Sequence, residues 1–343
     1  VSGVLVRAGD IRKLAYECGF ELAGVAAAVP APDLPVYHEW LAAGMAGGMG
    51  YLTDRRAGLR DDPRHLLPSA RSVISVGKLY HTKFSKSTSF THPQLGWISR
   101  YAWGDDYHDV LRSGLRQLES LLRQQAGDFE SKICVDTAPL LERAYAREAG
   151  LGWIGKNTCL IREGMGSWFF LGELLVSLEL EPDTPPPDLC GSCTRCIDAC
   201  PTAALEPYRL DARRCISYFT IELRGPVPAE HRPGMGWHLF GCDICQDVCP
   251  WNRRAPVTDD PHFQPRQLAP PLEKLAEISE EDFRALFRGS PVKRAKYSGF
   301  LRNVAIAMGN SRKSCFRTPL KRLSQNQDAM VAEAARWALD RLN

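Results

Sequence analysis

The chain has 343 residues, 44% hydrophobic and 24% charged, with 43 Lys and Arg against 40 Asp and Glu for a net charge of +3. That composition excludes a disordered or collagen-like chain, and the length suits about two domains at roughly 150 residues each. No apolar run reaches the roughly 18 residues of a membrane span, and Val1 to Asp10 lacks a secretory signal's apolar core, so a cytoplasmic location with no membrane partner is expected.

In chain order, Ile11, Leu14, Ala15 and Cys18 recur at helical spacing up to Gly19, and Phe20 to Ala28 reads as a short apolar strand. Gly44, Gly47, Gly48 and Gly50 lead into Arg55, Arg56, Arg60 and Asp62-Pro63, a loop whose backbone can approach a ligand or simply cross the surface. Ser72 to Tyr80 is β-branched enough for a largely buried strand. Asp105 and Asp106 can cap a helix whose Leu111, Leu115, Leu118 and Leu122 form a core stripe. A strand ends at Ile133 to Asp136, and Pro139 starts a helix to Gly150. Asp136 then sits at a strand-to-helix junction, where open α/β sheets gather ligands.

Ser167 to Leu180 reads as another strand, and the proline-rich stretch 181–188 as a stiff linker. Beyond Pro270, Leu301, Val304, Ala305 and Met308 form one helical stripe. Asp328 can cap another carrying Val331, Ala335, Ala338 and Leu342, a pattern resembling one or two HEAT-like hairpins. The expected fold class is α/β (α+β). It comprises an α/β domain over 1–181, a ferredoxin-like domain over 182–258 and a short helical domain over 259–343.

Eight of the twelve cysteines fall between residues 189 and 255. In a reducing compartment they read as metal ligands before disulfides. Cys190-x2-Cys193-x2-Cys196-x3-Cys200-Pro201 has the spacing of a bacterial ferredoxin segment, in which three close thiolates wrap one 4Fe-4S cube and the fourth ligates the other. Structural zinc is the alternative, but it usually pairs two short cysteine steps across a longer spacer. The second segment, Cys242-x2-Cys245-x3-Cys249-Pro250, is one thiolate short, and Cys215 is the nearby cysteine left to make eight. The crossover rule assigns Cys190, Cys193, Cys196 and Cys249 to one cube and Cys200, Cys215, Cys242 and Cys245 to the other. Cys18, Cys134, Cys159 and Cys315 are scattered and read as small buried hydrophobes.

From Arg284 to Arg322 the chain carries eleven Lys or Arg and no acid, so a tail of net plus eleven inside a chain of net plus three leaves minus eight elsewhere. A basic stripe on a helical scaffold is the footprint of a polyanion partner such as RNA, although solvated lysines or an acidic protein partner also fit. Two clusters alone fit an electron carrier. The 188 residues preceding the cluster segment imply delivery of electrons to a second cofactor or substrate.

Val135-Asp136-Thr137-Ala138-Pro139-Leu140-Leu141-Glu142-Arg143, Gly150-Leu151-Gly152-Trp153-Ile154-Gly155-Lys156-Asn157-Thr158, Asp211 to Tyr218 and Gly241-Cys242-Asp243 to Asn252, together with Ser99-Arg100-Tyr101-Ala102 and Asp106-Tyr107-His108, resemble the epoxyqueuosine reductases over nearly the whole chain. The resemblance implies a cobalamin-dependent enzyme with two 4Fe-4S clusters that reduces epoxyqueuosine in tRNA to queuosine. It would be fed by an unidentified low-potential donor, and a monomer is expected because tRNA needs an open face. It implies Asp136 as proton donor, its carboxyl raised by partial desolvation, although Asp136 could equally be a helix cap. It further implies that Arg60, Ser99, Asp136, the run Gly155, Lys156, Asn157 to Leu160, Ser217 and Asp243 border cobalamin. Arg143 would orient the base, and Glu222, Arg224, Lys293, Arg294 and Lys296 would contact tRNA. The common cobalamin signature Asp-x-His-x-x-Gly is broken here by Leu111, so His108 is expected on the helix surface rather than as an axial ligand. A related reductive dehalogenase-like enzyme and a non-enzymatic electron-transfer adaptor with an RNA-binding tail are the competing readings.

Overall fold

The structure is a computed structural model that describes residues 8–342. Helix α1 (Ala8–Glu17) leads into strand β1 (Leu22–Ala27), which pairs with β2 (Ser72–Leu79). Helix α2 (Tyr107–Ala126) is followed by β3 (Ser131–Cys134), α3 (Glu142–Glu148) and β4 (Phe169–Val176). The four strands form one sheet in the order β1-β2-β4-β3, with every pair antiparallel. This is an α+β sheet rather than a doubly wound one, so the parallel-sheet rule for ligand position does not apply to Asp136.

Alternation along the strands builds two cores. Ile74, Val76, Leu174 and Val176 face α1 and the fully buried α2 stripe of Leu111, Leu115, Leu118 and Leu122. Val73, Leu175 and Cys134 face α3 through Ala144 and Tyr145. The segment expected to be a linker docks on the sheet, since Asp183 pairs with Arg12 and accepts from the Val25 amide at 2.9 Å.

Past the sheet lie short helices and hairpins that carry the cysteines, including α4 (Ile216–Ile221). Five helices follow: α5 (Leu272–Glu277), α6 (Glu280–Leu286), α7 (Tyr297–Ser311), α8 (Arg317–Leu323) and α9 (Ala329–Asp340). As expected, Asp328 caps α9 by accepting from the Met330 amide at 3.0 Å. One core joins Ile98 and Trp103, the α4 residues Ile216 and Phe219, and Phe300, Val304, Leu320 and Ala335 of the tail. Among the described residues, no helix is long and apolar enough to cross a membrane.

Candidate active site

Asp136 stands two residues beyond β3 in the left-handed region, with φ +46°. An aspartate tolerates this conformation better than most residues, and it stops the strand there. The helix expected from Pro139 begins only at Glu142, because the intervening loop turns to bury Leu140 and to place the Asp136 amide on a Glu142 carboxylate oxygen. The Asp136 carboxylate projects into a cavity of about 1310 Å³ lined by Tyr51, Arg60, Tyr107, His108, Cys215 and Ser217, with many cations at its rim. Its side chain is 53% exposed, and that exposure opens onto the concavity.

His108 departs from its expected place on the helix surface. Asp106 caps α2, and this turns the His108 ring so that Nδ1 lies 2.7 Å from Asp106 and Nε2 lies 3.0 Å from Asp136. Burial disfavours the imidazolium, but hydrogen bonds to the two carboxylates outweigh it and push its pKa up to about 9. Burial by itself raises the Asp136 carboxyl. The hydrogen bond and charge of His108, a Tyr107 hydrogen bond and the charge of Arg294 reverse this and hold it below the usual carboxylate range. Asp136 is thus lowered, not raised as expected from desolvation alone.

The cysteines gather in two groups that cross the two sequence segments. Cys196 lies in the electrostatic reach of Cys190 and Cys193, and Cys249 in that of Cys190 and Cys196. Cys215, Cys242 and Cys245 form a second group with Cys200. Cys215 also lines the large cavity, so the second group meets the space that Asp136 faces. Of the four scattered cysteines, Cys134 alone is buried; Cys315 is exposed, and Cys159 lies against Cys245 and Gln246.

Residues 60–137 match the family model for "Epoxyqueuosine reductase QueG, DUF1730", and residues 189–252 match the 4Fe-4S double cluster binding domain. An epoxyqueuosine reductase from Xanthomonas campestris is 42% identical over 351 residues, covering 99% of each chain. The chain belongs to the epoxyqueuosine reductase family. It is therefore an oxidoreductase, and its double-cluster domain supports iron-sulfur cofactors. A solved epoxyqueuosine reductase with an epoxyqueuosine-modified tRNA-Tyr stem loop aligns with TM-score 0.87 at 30% identity, over 97% of this chain and 89% of that one. A Bacillus subtilis epoxyqueuosine reductase, whose catalytic loop is swung out of the active site, aligns with TM-score 0.88 at 29% identity, over 98% of this chain and 90% of its own.

Within this epoxyqueuosine reductase fold, the implied cobalamin residues divide. Arg60, Asp136 and Ser217 line the cavity. Ser99 and Asp243 are buried against each other, and Asp243 also accepts from the Arg100 amide at 2.6 Å. Lys156 donates to the Gly191 and Cys193 carbonyls at 2.6 and 3.1 Å, and Asn157 to that of Cys245 at 3.4 Å, so both brace the cysteine loops. Leu160 is buried in the α3-side core, while Gly155 is packed so that a Cβ would meet Ile161 at 2.5 Å. The cavity exceeds the roughly 300–1,000 Å³ of ordinary ligand pockets and adjoins a cysteine group, so the residues present fit a corrin-sized redox cofactor.

Several implied tRNA contacts have partners within the fold. Lys293 pairs with Asp106 at 3.0 Å and Arg294 with Glu222 at 3.0 Å, all four at the cavity wall. Arg224 donates to the Arg294 and Ala295 carbonyls at 2.8 and 3.1 Å, which ties α4 to the tail. Arg143 holds the Thr158 carbonyl, and Lys296 is exposed at the rim. Arg302, counted in the basic stripe, is 1% exposed and clasps the carbonyls of Phe219, Leu223 and Gly225. Sequence reasoning missed Tyr51 and Arg112 in the cavity wall; Arg56 stood in the loop expected to approach a ligand, and Tyr107 in the Asp106-Tyr107-His108 run, but neither was given a role.

Proposed function

We propose that this protein reduces the epoxide of epoxyqueuosine in tRNA to queuosine, using two 4Fe-4S clusters and cobalamin. The observation that carries this reading is one cavity that brings together the Asp136 carboxylate, the Cys215 thiol and a cationic rim including Arg284, Arg288, Lys293, Arg294 and Lys296. The division into units over 1–181, 182–258 and 259–343 belongs to the same reading. The clusters would be held by Cys190, Cys193, Cys196 and Cys249, and by Cys200, Cys215, Cys242 and Cys245. The second would face the cavity. Cobalamin, bordered by Arg60, Ser217 and Asp136, would supply the low-potential reduction of the epoxide.

Converting the epoxide to an alkene takes two electrons and two protons and releases the oxygen as water. The chain's own part is to hold a proton where that oxygen leaves. Asp136 and His108 share one across their 3.0 Å contact. Asp136 faces the substrate space and would deliver it, while His108 would restore it to Asp136. The rim cations would hold the anticodon phosphates, and an uncharged small substrate would need no such rim.

The test is anaerobic reconstitution with iron, sulfide and cobalamin, followed by assay on epoxyqueuosine-containing tRNA with a strong chemical reductant. Queuosine should form, and Asp136→Asn should retain tRNA binding while losing turnover by at least about 10²-fold. Full turnover in Asp136→Asn would remove Asp136 from the mechanism. Failure to bind corrin after reconstitution would overturn the reading as a whole.

A further inference from the structure

Beneath Asp136 lies a second pair of acids that the reaction does not use. Glu173 sits in the interior of β4, is 0% exposed, and stands opposite Cys134 of β3 in the sheet register. Alternation turns its side chain toward α3, whose first residue is Glu142. The Glu142 and Glu173 carboxyl groups face each other, so a proton on either can bridge them. Neither Glu173 carboxylate oxygen accepts a hydrogen bond from a donor among the described residues. The other oxygen-to-backbone contact of the pair is the Asp136 amide on Glu142.

The surroundings leave one chemical solution. Glu173 is faced by Glu142 and Asp136, both acids. Glu142 is faced by Asp136 from the loop, Glu173 from β4, Cys134 from β3 and Tyr107 from α2, with Arg143 of α3 as its cationic neighbour. Two adjacent carboxylates without a cation between them cannot both be ionised in such a place, so at least one proton lies between them. Burial pushes Glu142 up to about 8, and Glu173 well above the ordinary carboxyl range.

We propose that the Glu142–Glu173 pair is a protonated latch: the shared proton ties Glu142 to the rigid sheet, and Glu142 in turn holds the Asp136 loop inward through the Asp136 amide. Glu142 is thus a positioning residue that acts through Asp136. The loop needs such a tether, because a non-glycine residue at φ +46° persists only where its surroundings over-determine it. Loss of the shared proton sets two carboxylates against each other. Glu173 is fixed by strand pairing on both sides, so Glu142 and the loop it holds are the parts that move.

This inference rests on Asp136 as the acid only for its catalytic consequence; the latch itself is readable without turnover. Amide hydrogen exchange of residues 135–141, corrected for the intrinsic pH dependence, should show protection lost in the wild type as pH rises above about 8 and the last proton leaves the pair. Glu142→Gln keeps an acceptor for the Asp136 amide and gives Glu173 an uncharged partner, so its protection should persist through that range. Infrared spectra at pH 7 should show a protonated-carboxyl band that Glu142→Gln weakens. In the turnover assay Glu142→Ala should lower kcat by up to about 10²-fold with little change in KM for tRNA. A pH-independent loop in the wild type, or no protonated carboxyl at pH 7, would overturn the latch even if Asp136 proves to be the acid. If the latch responds as described while Asp136→Asn stays fully active, the latch stands and the acid assignment falls.

Discussion

At the scale of single residues, the site is governed by which charges face which. His108 bridges Asp106 and Asp136, and its pKa is raised from 6.5 to about 9. A group raised on folding contributes stability that is fully present below its unfolded value and is lost as pH rises through its folded one. The stability gap between wild type and His108→Gln should therefore be widest below pH 6.5 and shrink as pH passes 9, as followed by denaturant titration at each pH. A gap independent of pH would mean that His108 is not an imidazolium in the pair. Removing it also frees Asp136 from its main acid-strengthening partner, so the Asp136 carboxyl should rise and the pH optimum of turnover should move with it. Arg302 makes the opposite case, a cation held by carbonyls rather than by acids. Burial lowers its pKa to about 10, which leaves it charged at neutral pH. Arg302→Met should cost about 3 kcal/mol in urea unfolding, since several buried carbonyls lose their donor.

At the scale of elements, what could be read in the sequence was periodicity, and what could not was partnership. The α2 stripe and the Asp328 cap follow from spacing and local chemistry, and both stand in the structure at the expected residues. The helix after Pro139 starts three residues late because the loop's conformation is set by Glu142, which reads in sequence as an ordinary first-turn acid. Glu173 reads as a polar interruption in an apolar strand, and nothing local tells that its partner is another acid brought in from α3. The antiparallel order β1-β2-β4-β3 was equally invisible, since strands and helices alternating along a chain suggest a parallel sheet. The double-cluster segment was legible because short cysteine spacers leave few ways to surround a compact cluster. Their assignment makes an element-level prediction: Cys215→Ala should leave about four of eight iron atoms per chain after reconstitution. Retention of all eight would put another thiol in its place, and Cys159, beside Cys245, is a candidate.

At the scale of the whole molecule, the fold puts the tail cations nearest the cavity to different uses. Arg302 is internal, Lys293 and Arg294 are paired with acids at the cavity wall, and Arg284, Arg288 and Lys296 are exposed at its rim. Of these, Arg288 and Lys296 can exchange bound counterions for phosphates without first giving up an acid, whereas Arg284 is paired with Glu280 at 2.6 Å. Each phosphate contact steepens the salt dependence of binding by about 0.7 to 0.9 in log K against log salt. Arg288→Glu with Lys296→Glu should therefore flatten the slope for an anticodon stem loop by about 1.4 to 1.8. Lys293→Ala should change it less, while loosening Asp106 and with it the His108 ring. Fluorescence anisotropy across a salt series separates the two outcomes. Equal slopes for both variants and the wild type would place the RNA on another face of the protein.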